Sequence, residues 1–186
     1  YKSSWYKSIS AEAYTKHGLN CHGIIFDELH TQQNSELWNV LTTSVGARRQ
    51  PVIISLTTAG HDRASICYEM HEYSEKVLNG SVDDDSFLPV LYKADPDDDW
   101  TDPKTWQKAN PGYGTICNEA YFVDAVKKAK SNPSYINSFL RLHLNIWTSA
   151  ETAWIPDDTY MKGDKPIPFD RLPSLPAYGG LDLAST

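Results

Sequence analysis

The chain has 186 residues, of which 40% are hydrophobic, 12% aromatic and 22% charged, a composition that supports a packed core and excludes disordered and collagen-like classes. A formal net charge of −7 argues against a free-standing, nonspecific nucleic-acid binder, which carries a basic face, so any DNA contact is local or shared. No apolar run approaches the length of a membrane-spanning helix, and the three cysteines, Cys21, Cys67 and Cys117, are far apart with no Cys-x-x-Cys pair, which supports neither a disulfide framework nor a zinc ribbon and points to a reducing compartment.

Position 1 is Tyr rather than Met, and the polar start Tyr1-Lys2-Ser3-Ser4 has no signal-peptide character. At the other end Gly179-Gly180 turns into Leu181-Asp182-Leu183-Ala184, which reads as a terminal strand with no sheet of its own. The expectation is a piece of a longer protein, cut inside one domain at the front and just inside another at the back.

Gly23-Ile24-Ile25-Phe26 is a short apolar run that ends in Asp27-Glu28, the pattern of a buried parallel strand delivering charge at its C-terminal tip. Leu37, Val40, Leu41 and Val45 then recur at helical spacing from Ser35 to about Gly46. Pro51-Val52-Ile53-Ile54-Ser55-Leu56 predicts a second buried strand whose tip is Thr57-Thr58-Ala59-Gly60. Ile66, Met70, Tyr73 and Val77 share a helical face that stops near Asn79-Gly80, and Phe87 to Tyr92 form a third apolar segment. Strands alternating with helices imply a mostly parallel sheet. Asp95 to Gly114 is turn-rich, with Asp102-Pro103 opening a short helix and Asn110-Pro111-Gly112 ending it. Glu119 to Lys130 and Ser134 to about Trp147 read as two helices joined at Ser131-Asn132-Pro133, with Phe122, Val126 and Ala129 and then Ile136, Phe139, Leu140 and His143 facing inward. Glu151 to Pro176 is proline-rich and weakly periodic, a linker.

Two strand tips carry the candidate chemistry. In a nucleotide-hydrolysing α/β sheet, an Asp at a strand tip holds Mg²⁺, usually through water, while an adjacent carboxylate polarises the attacking water; Asp27 and Glu28 suit those two tasks, although an acidic strand end beside a helix N-terminus reads the same way. The hydroxyls of Thr57 and Thr58 suit sensing of a γ-phosphate or its water and relay to a flexible Gly60, against the plainer reading of a Ser/Thr-rich end that caps the next helix. Both tips point at one crevice.

With these segments in place the sequence resembles the large terminase subunit of tailed bacteriophages, the ATP-driven motor and nuclease that packages DNA into procapsids. The resemblance spans nearly the whole chain and is carried by Ser10-Ala11-Glu12-Ala13, Lys16-His17-Gly18-Leu19-Asn20, Ile24 to His30, Gly46-Ala47-Arg48, Thr57-Thr58-Ala59-Gly60, Asn110-Pro111-Gly112, Phe139-Leu140-Arg141, His143-Leu144-Asn145 and Gly180-Leu181-Asp182-Leu183-Ala184-Ser185. It implies that Ile24 to His30 is the Walker B motif, with Asp27 the Mg²⁺-linked acid and Glu28 the catalytic base. It implies that Thr57, Thr58 and Gly60 belong to the element coupling hydrolysis to movement, and that Asp182 is the first metal-binding carboxylate of an RNase H-like nuclease. ATP, Mg²⁺, and Mg²⁺ or Mn²⁺ for the nuclease are the implied cofactors. Double-stranded DNA, a portal protein, a small terminase subunit and a homo-oligomeric ring are the implied partners, with no membrane, in the host cytoplasm of a phage or prophage and transiently at the procapsid.

The expected fold is α/β: residues 1–94 form the C-terminal part of a P-loop-NTPase-like ATPase domain with a mostly parallel sheet, 95–150 a helical lid subdomain, 151–176 a linker and 177–186 the start of the nuclease domain. No Gly-x-x-x-x-Gly-Lys-Ser/Thr string occurs, so the phosphate-cradling loop is missing and the piece alone is expected to be inactive. One nuclease carboxylate is likewise too few for a pair of metal ions about 3.5–4 Å apart. Arg48 and Arg49 follow a helix end and suit its dipole better than a neighbour's phosphates. His17, Cys21, His22 and His30 match no common zinc spacing, Asp83 to Asp85 and Asp97 to Asp99 lack the pattern of a calcium loop, and Lys127, Lys128 and Lys130 fit a solvated helix end as well as a DNA contact. The competing readings are a superfamily-two helicase-like ATPase, whose Asp-Glu-x-His motif Asp27-Glu28-Leu29-His30 matches, and a non-catalytic α/β interaction module.

Overall fold

The computed structural model describes residues 4–10, 17–32, 34–149 and 160–163. It divides into two units, residues 1–153 and 154–186. In the second, only residues 160–163 are described, a turn in which Gly163 N–H donates to the Tyr160 carbonyl at 2.9 Å. Asp182, the expected nuclease strand and most of the expected linker lie outside the described residues.

The first unit opens with β1 (Gly23–Asp27), a 3-10 turn (Leu29–Thr31), α1 (Glu36–Thr43), β2 (Val52–Leu56) and α2 (Ile66–Leu78). β1 and β2 pair in parallel, with Gly23 opposite Val52 and Asp27 opposite Leu56, so both strands end at the same edge. β1 alternates: Ile24 and Phe26 are buried on α1 and α2 with Leu29, Leu37, Leu41, Ile66 and Cys67, and Phe26 meets the Trp38 ring at 4.8 Å.

Contrary to the expectation of two buried strands, β1 is buried only at alternate residues and β2 not at all. All five residues of β2 are exposed, because a parallel strand needs a layer on each face and, among the described residues, a layer exists only beneath the inward side of β1. The third apolar segment, Phe87–Tyr92, forms neither helix nor strand. Leu88 is 88% exposed, and the segment is tied elsewhere: Asn145 Nδ2 donates to the Tyr92 carbonyl at 2.8 Å and Ala94 N–H to the Leu144 carbonyl at 3.0 Å.

Three helices follow, α3 (Pro103–Ala109), α4 (Glu119–Ser131) and α5 (Pro133–Leu144). Each begins on a side chain that accepts an otherwise orphaned N–H: Asp102 from Lys104, Asn118 from Ala120, and Asn132 from Ser134. Pro103 and Pro133 occupy first-turn positions where no donor is needed. Their inner faces close a core of Trp106, Phe122, Val126, Ala129, Phe139 and Leu144. Phe139 stacks on His143 at 4.9 Å, and Trp106 on Phe122 at 5.6 Å. Asn110 Nδ2 donates to the carbonyls of Trp106 at 2.9 Å and His143 at 2.7 Å, which ties the ends of α3 and α5 together. α5 stops at Leu144 rather than near Trp147, because Asn145 adopts the left-handed conformation at φ 53°, a stop that Asn tolerates better than most residues.

Candidate active site

The candidate residues sit where β1 and β2 end. Since Asp27 lies opposite Leu56, the residues that follow, Glu28 and Thr57, leave the sheet side by side. Glu28 holds φ 54° and ψ 53°, a left-handed backbone that costs a non-glycine residue about 1–2 kcal/mol. Two donors fix it: the Thr31 N–H and the Thr31 hydroxyl both reach the Glu28 carbonyl at 2.9 Å. This bend starts the 3-10 turn and carries the chain back over the tip of β2, so that His30 faces the threonines.

His30 is the hub of the cluster. Its backbone N–H donates to Thr57 Oγ1 at 3.0 Å. Its Nδ1 lies 3.1 Å from Thr57 Oγ1, 3.2 Å from Glu28 Oε2 and 3.4 Å from Thr58 Oγ1. The Thr57 hydroxyl hydrogen goes to the Thr58 carbonyl at 2.8 Å, and the buried Cys67 thiol donates to Thr57 Oγ1 at 3.7 Å. Burial holds the His30 pKa below its ordinary value; the Glu28 carboxylate opposes this, and Arg141 and His61 add to the lowering. Burial likewise raises the Cys67 thiol, which stays protonated and able to donate. The Asp27 carboxylate, in contrast, is exposed and makes no hydrogen bond or ion pair within the described residues.

Beyond Thr58 the loop runs into α5 and the residues after it. Ala59 N–H donates to Asn145 Oδ1 at 3.4 Å. Arg141, only 7% exposed, donates from a guanidinium nitrogen to His61 Nδ1 at 3.0 Å and forms no ion pair among the described residues. Gly60 is buried, and its expected flexibility is corrected to close packing: an added Cβ would lie 2.9 Å from Trp147 Cζ3 and 3.2 Å from Cη2. Trp147 is itself held edge-on by Tyr68 at 4.8 Å.

The structure therefore brings Glu28, Thr57 and Thr58 together, sets Asp27 beside them, and packs Gly60 against Trp147. The cluster also takes in His30, Asn145, Arg141 and Trp147, to none of which the sequence pattern gives a role of its own. The Asp-Glu-x-His spacing was a signal for His30, whereas Arg141, Asn145 and Trp147 are remote in sequence and their contacts depend on tertiary packing. The remaining candidates fall outside it. Arg48 donates to the Asn20 carbonyl at 2.7 Å, Lys127 pairs with Asp124 at 3.3 Å, Lys128 lies 4.0 Å from the centre of the Tyr135 ring, and Asp95 and Asp98 each meet Lys108 at 2.6 Å. Among the described residues no group of three His, Cys, Asp or Glu side chains converges on a metal position.

Comparison with known proteins agrees with this geometry. Residues 1–76 match the family model of the terminase large subunit ATPase domain, and residues 81–185 that of its endonuclease domain. The chain is 34% identical over 168 residues to protein YmfN of Escherichia coli strain K12, covering 90% of this chain and 37% of that one. It is 29% identical over 183 residues to the terminase large subunit of Enterobacteria phage HK97, covering 97% of this chain and 34% of that one. The crystal structure of the HK97 bacteriophage large terminase superposes with a TM-score of 0.66 at 28% identity, over 76% of this chain and 29% of the other. The chain thus spans about a third of the length of these curated relatives.

Proposed function

The chain belongs to the terminase large subunit family, and from that membership we propose that its paired strand tips serve ATP hydrolysis in a motor that drives double-stranded DNA into a procapsid. Neither the helicase nor the interaction-module reading is favoured by these matches. The observation that carries the proposal is the parallel register of β1 and β2, which sets Asp27 and Glu28 beside Thr57 and Thr58.

In this reading Glu28 is the general base that orients and deprotonates the attacking water. Asp27 fits an Mg²⁺ partner because its carboxylate is exposed and uncommitted; an ion held there would supply charge neutralisation on the phosphate oxygens. Thr57, Thr58 and Gly60 form the element that transmits the event, and its attachment to Asn145 and Trp147 gives a route into the helical part. Asp182 is assigned to a separate nuclease centre using Mg²⁺ or Mn²⁺, on its resemblance to the family's first metal-binding carboxylate and its place within the stretch that matches the endonuclease-domain model. The partners proposed are a portal protein, a small terminase subunit and further copies in a ring, in the cytoplasm of a bacterial host and transiently at the procapsid.

The test is Glu28→Gln in the full-length protein. Nucleotide binding is retained and turnover falls about 10²-fold or more; near-normal ATPase removes Glu28 from the role. Asp182→Ala abolishes metal-dependent DNA cleavage and spares ATPase, and surviving cleavage refutes the nuclease assignment.

A further inference from the structure

The Thr57 hydroxyl has one hydrogen, and it is given to the Thr58 carbonyl at 2.8 Å. Toward His30, Thr57 Oγ1 is therefore an acceptor only. The second neighbour of His30 Nδ1, Glu28 Oε2 at 3.2 Å, is also an acceptor when ionised. Three oxygens surround this ring nitrogen, the two nearer ones acceptors and the Thr58 hydroxyl at 3.4 Å a rotor that donates or accepts; with the imidazole hydrogen on Nδ1, one N–H is shared between a carboxylate at the end of β1 and a hydroxyl at the end of β2. A second attachment comes from the same residue, whose backbone N–H donates to Thr57 Oγ1 at 3.0 Å. The Glu28 side chain is 54% exposed, so little packing fixes its direction and the His30 contact is its restraint.

We propose that His30 is a positioning residue, whose Nδ1–H holds the Glu28 carboxylate in register with the Thr57 hydroxyl so that the base and the coupling loop are fixed to each other. This rests on the reading of Glu28 as the base. A base displaced by about 1 Å from its working position loses as much as 10²-fold in rate without any change in its chemistry. His30 therefore acts through Glu28 on turnover and through Thr57 on the loop, and substrate affinity is left alone.

The experiment compares His30→Ala, His30→Asn and His30→Gln in the full-length protein, reading kcat and KM for ATP, DNA translocated per ATP, and the thermal midpoint. An Asn amide places an N–H near the position of Nδ1–H, whereas the longer Gln amide mimics the other ring nitrogen. The expected result is a loss in kcat of about 10-fold or more in His30→Ala and His30→Gln, with KM within about twofold and less DNA moved per ATP. In His30→Asn kcat and DNA moved per ATP both recover to within about threefold. The proposal is overturned if His30→Ala keeps normal kcat and coupling, if Asn does no better than Ala and Gln, or if kcat follows the thermal midpoint across all three variants, which is the signature of a purely structural role. Glu28→Gln run alongside separates the two readings. Retained turnover in Glu28→Gln removes the base, whereas abolished turnover there together with normal His30→Ala removes only the positioning role.

Discussion

In the α3–α5 half of the molecule Ala129, Phe139 and Leu144 are shut off from solvent entirely, while in the β1–β2 half every residue of β2 is exposed. Both halves come from apolar sequence. The helices succeed because two neighbours in the chain, α4 and α5, can bury each other's inner faces directly, and most helical stability arises from that packing. A parallel strand cannot be satisfied by its nearest neighbour in sequence, since its partner strands and both covering layers arrive from a distance. The helical half closes its own core, and the sheet half presents the edge where Asp27, Glu28, Thr57 and Thr58 lie.

The strongest test of that contrast is a pair of truncations in the 186-residue chain. Phe139→Ala removes a fully buried ring that contacts Trp100 and His143 and is expected to cost about 3–5 kcal/mol in chemical denaturation. Ile54→Ala on β2, 44% exposed, is expected to cost under about 1 kcal/mol. Equal losses would break the comparison, since they would mean that β2 is covered.

The seam between the halves gives the next largest effects. Gly60→Ala forces a methyl group against Trp147 at 2.9 Å and is expected to cost about 1–3 kcal/mol. In a Trp147→Leu background the same change should cost less by about 0.5 kcal/mol or more, the coupling that a double-mutant cycle detects for residues in contact. Asn145 sharpens the point. Asn145→Gly keeps the left-handed backbone and loses the bonds to Tyr92 and Ala59, for about 1 kcal/mol. Asn145→Ala loses both and should be worse than Gly by a further 1 kcal/mol or so. If Ala is as stable as Gly, the conformation at φ 53° is not what stops α5.

The same difference decides what the sequence makes legible. Helices announce themselves by a period and by caps such as Asp102-Pro103 and Asn132-Pro133, which are local signals, so α2 to α5 are placed within a few residues. The β1 and β2 segments are equally plain, and their parallel pairing follows from alternation with helices. What local pattern cannot carry is burial and partnership. Phe87–Tyr92 has the composition of a strand, yet its backbone is anchored at Tyr92 and Ala94 to the end of α5. Gly60 reads as a hinge, yet the reason for glycine there is a ring 87 positions along the chain. Asp27, Glu28, Thr57 and Thr58 are recognisable because strand tips in such sheets point the same way. His30 becomes part of the site only through the left-handed bend at Glu28, which no periodicity announces.

The smallest effect concerns acid, and it separates the halves by the histidines they bury. His143 lies in the helical core, its Nε2 2.9 Å from the Tyr121 hydroxyl and its ring stacked on Phe139. Burial lowers its pKa below the ordinary value near 6.5. The unfolded chain therefore takes up a proton before the folded one does, and the stability held above about pH 6.5 is lost as the pH falls through the depressed folded value. His143→Phe keeps a ring against Phe139 and removes this titration, so the decline in stability between neutral and mildly acidic pH becomes shallower. It does not vanish, because His30 and His71 are also held low by burial. Measured from pH 7.5 down to 5, the denaturation midpoint of the variant minus that of the parent should rise as the pH falls, whatever its sign at neutrality. A parallel descent would show that His143 is solvated in the folded state and that the helical core is less closed than its packing implies.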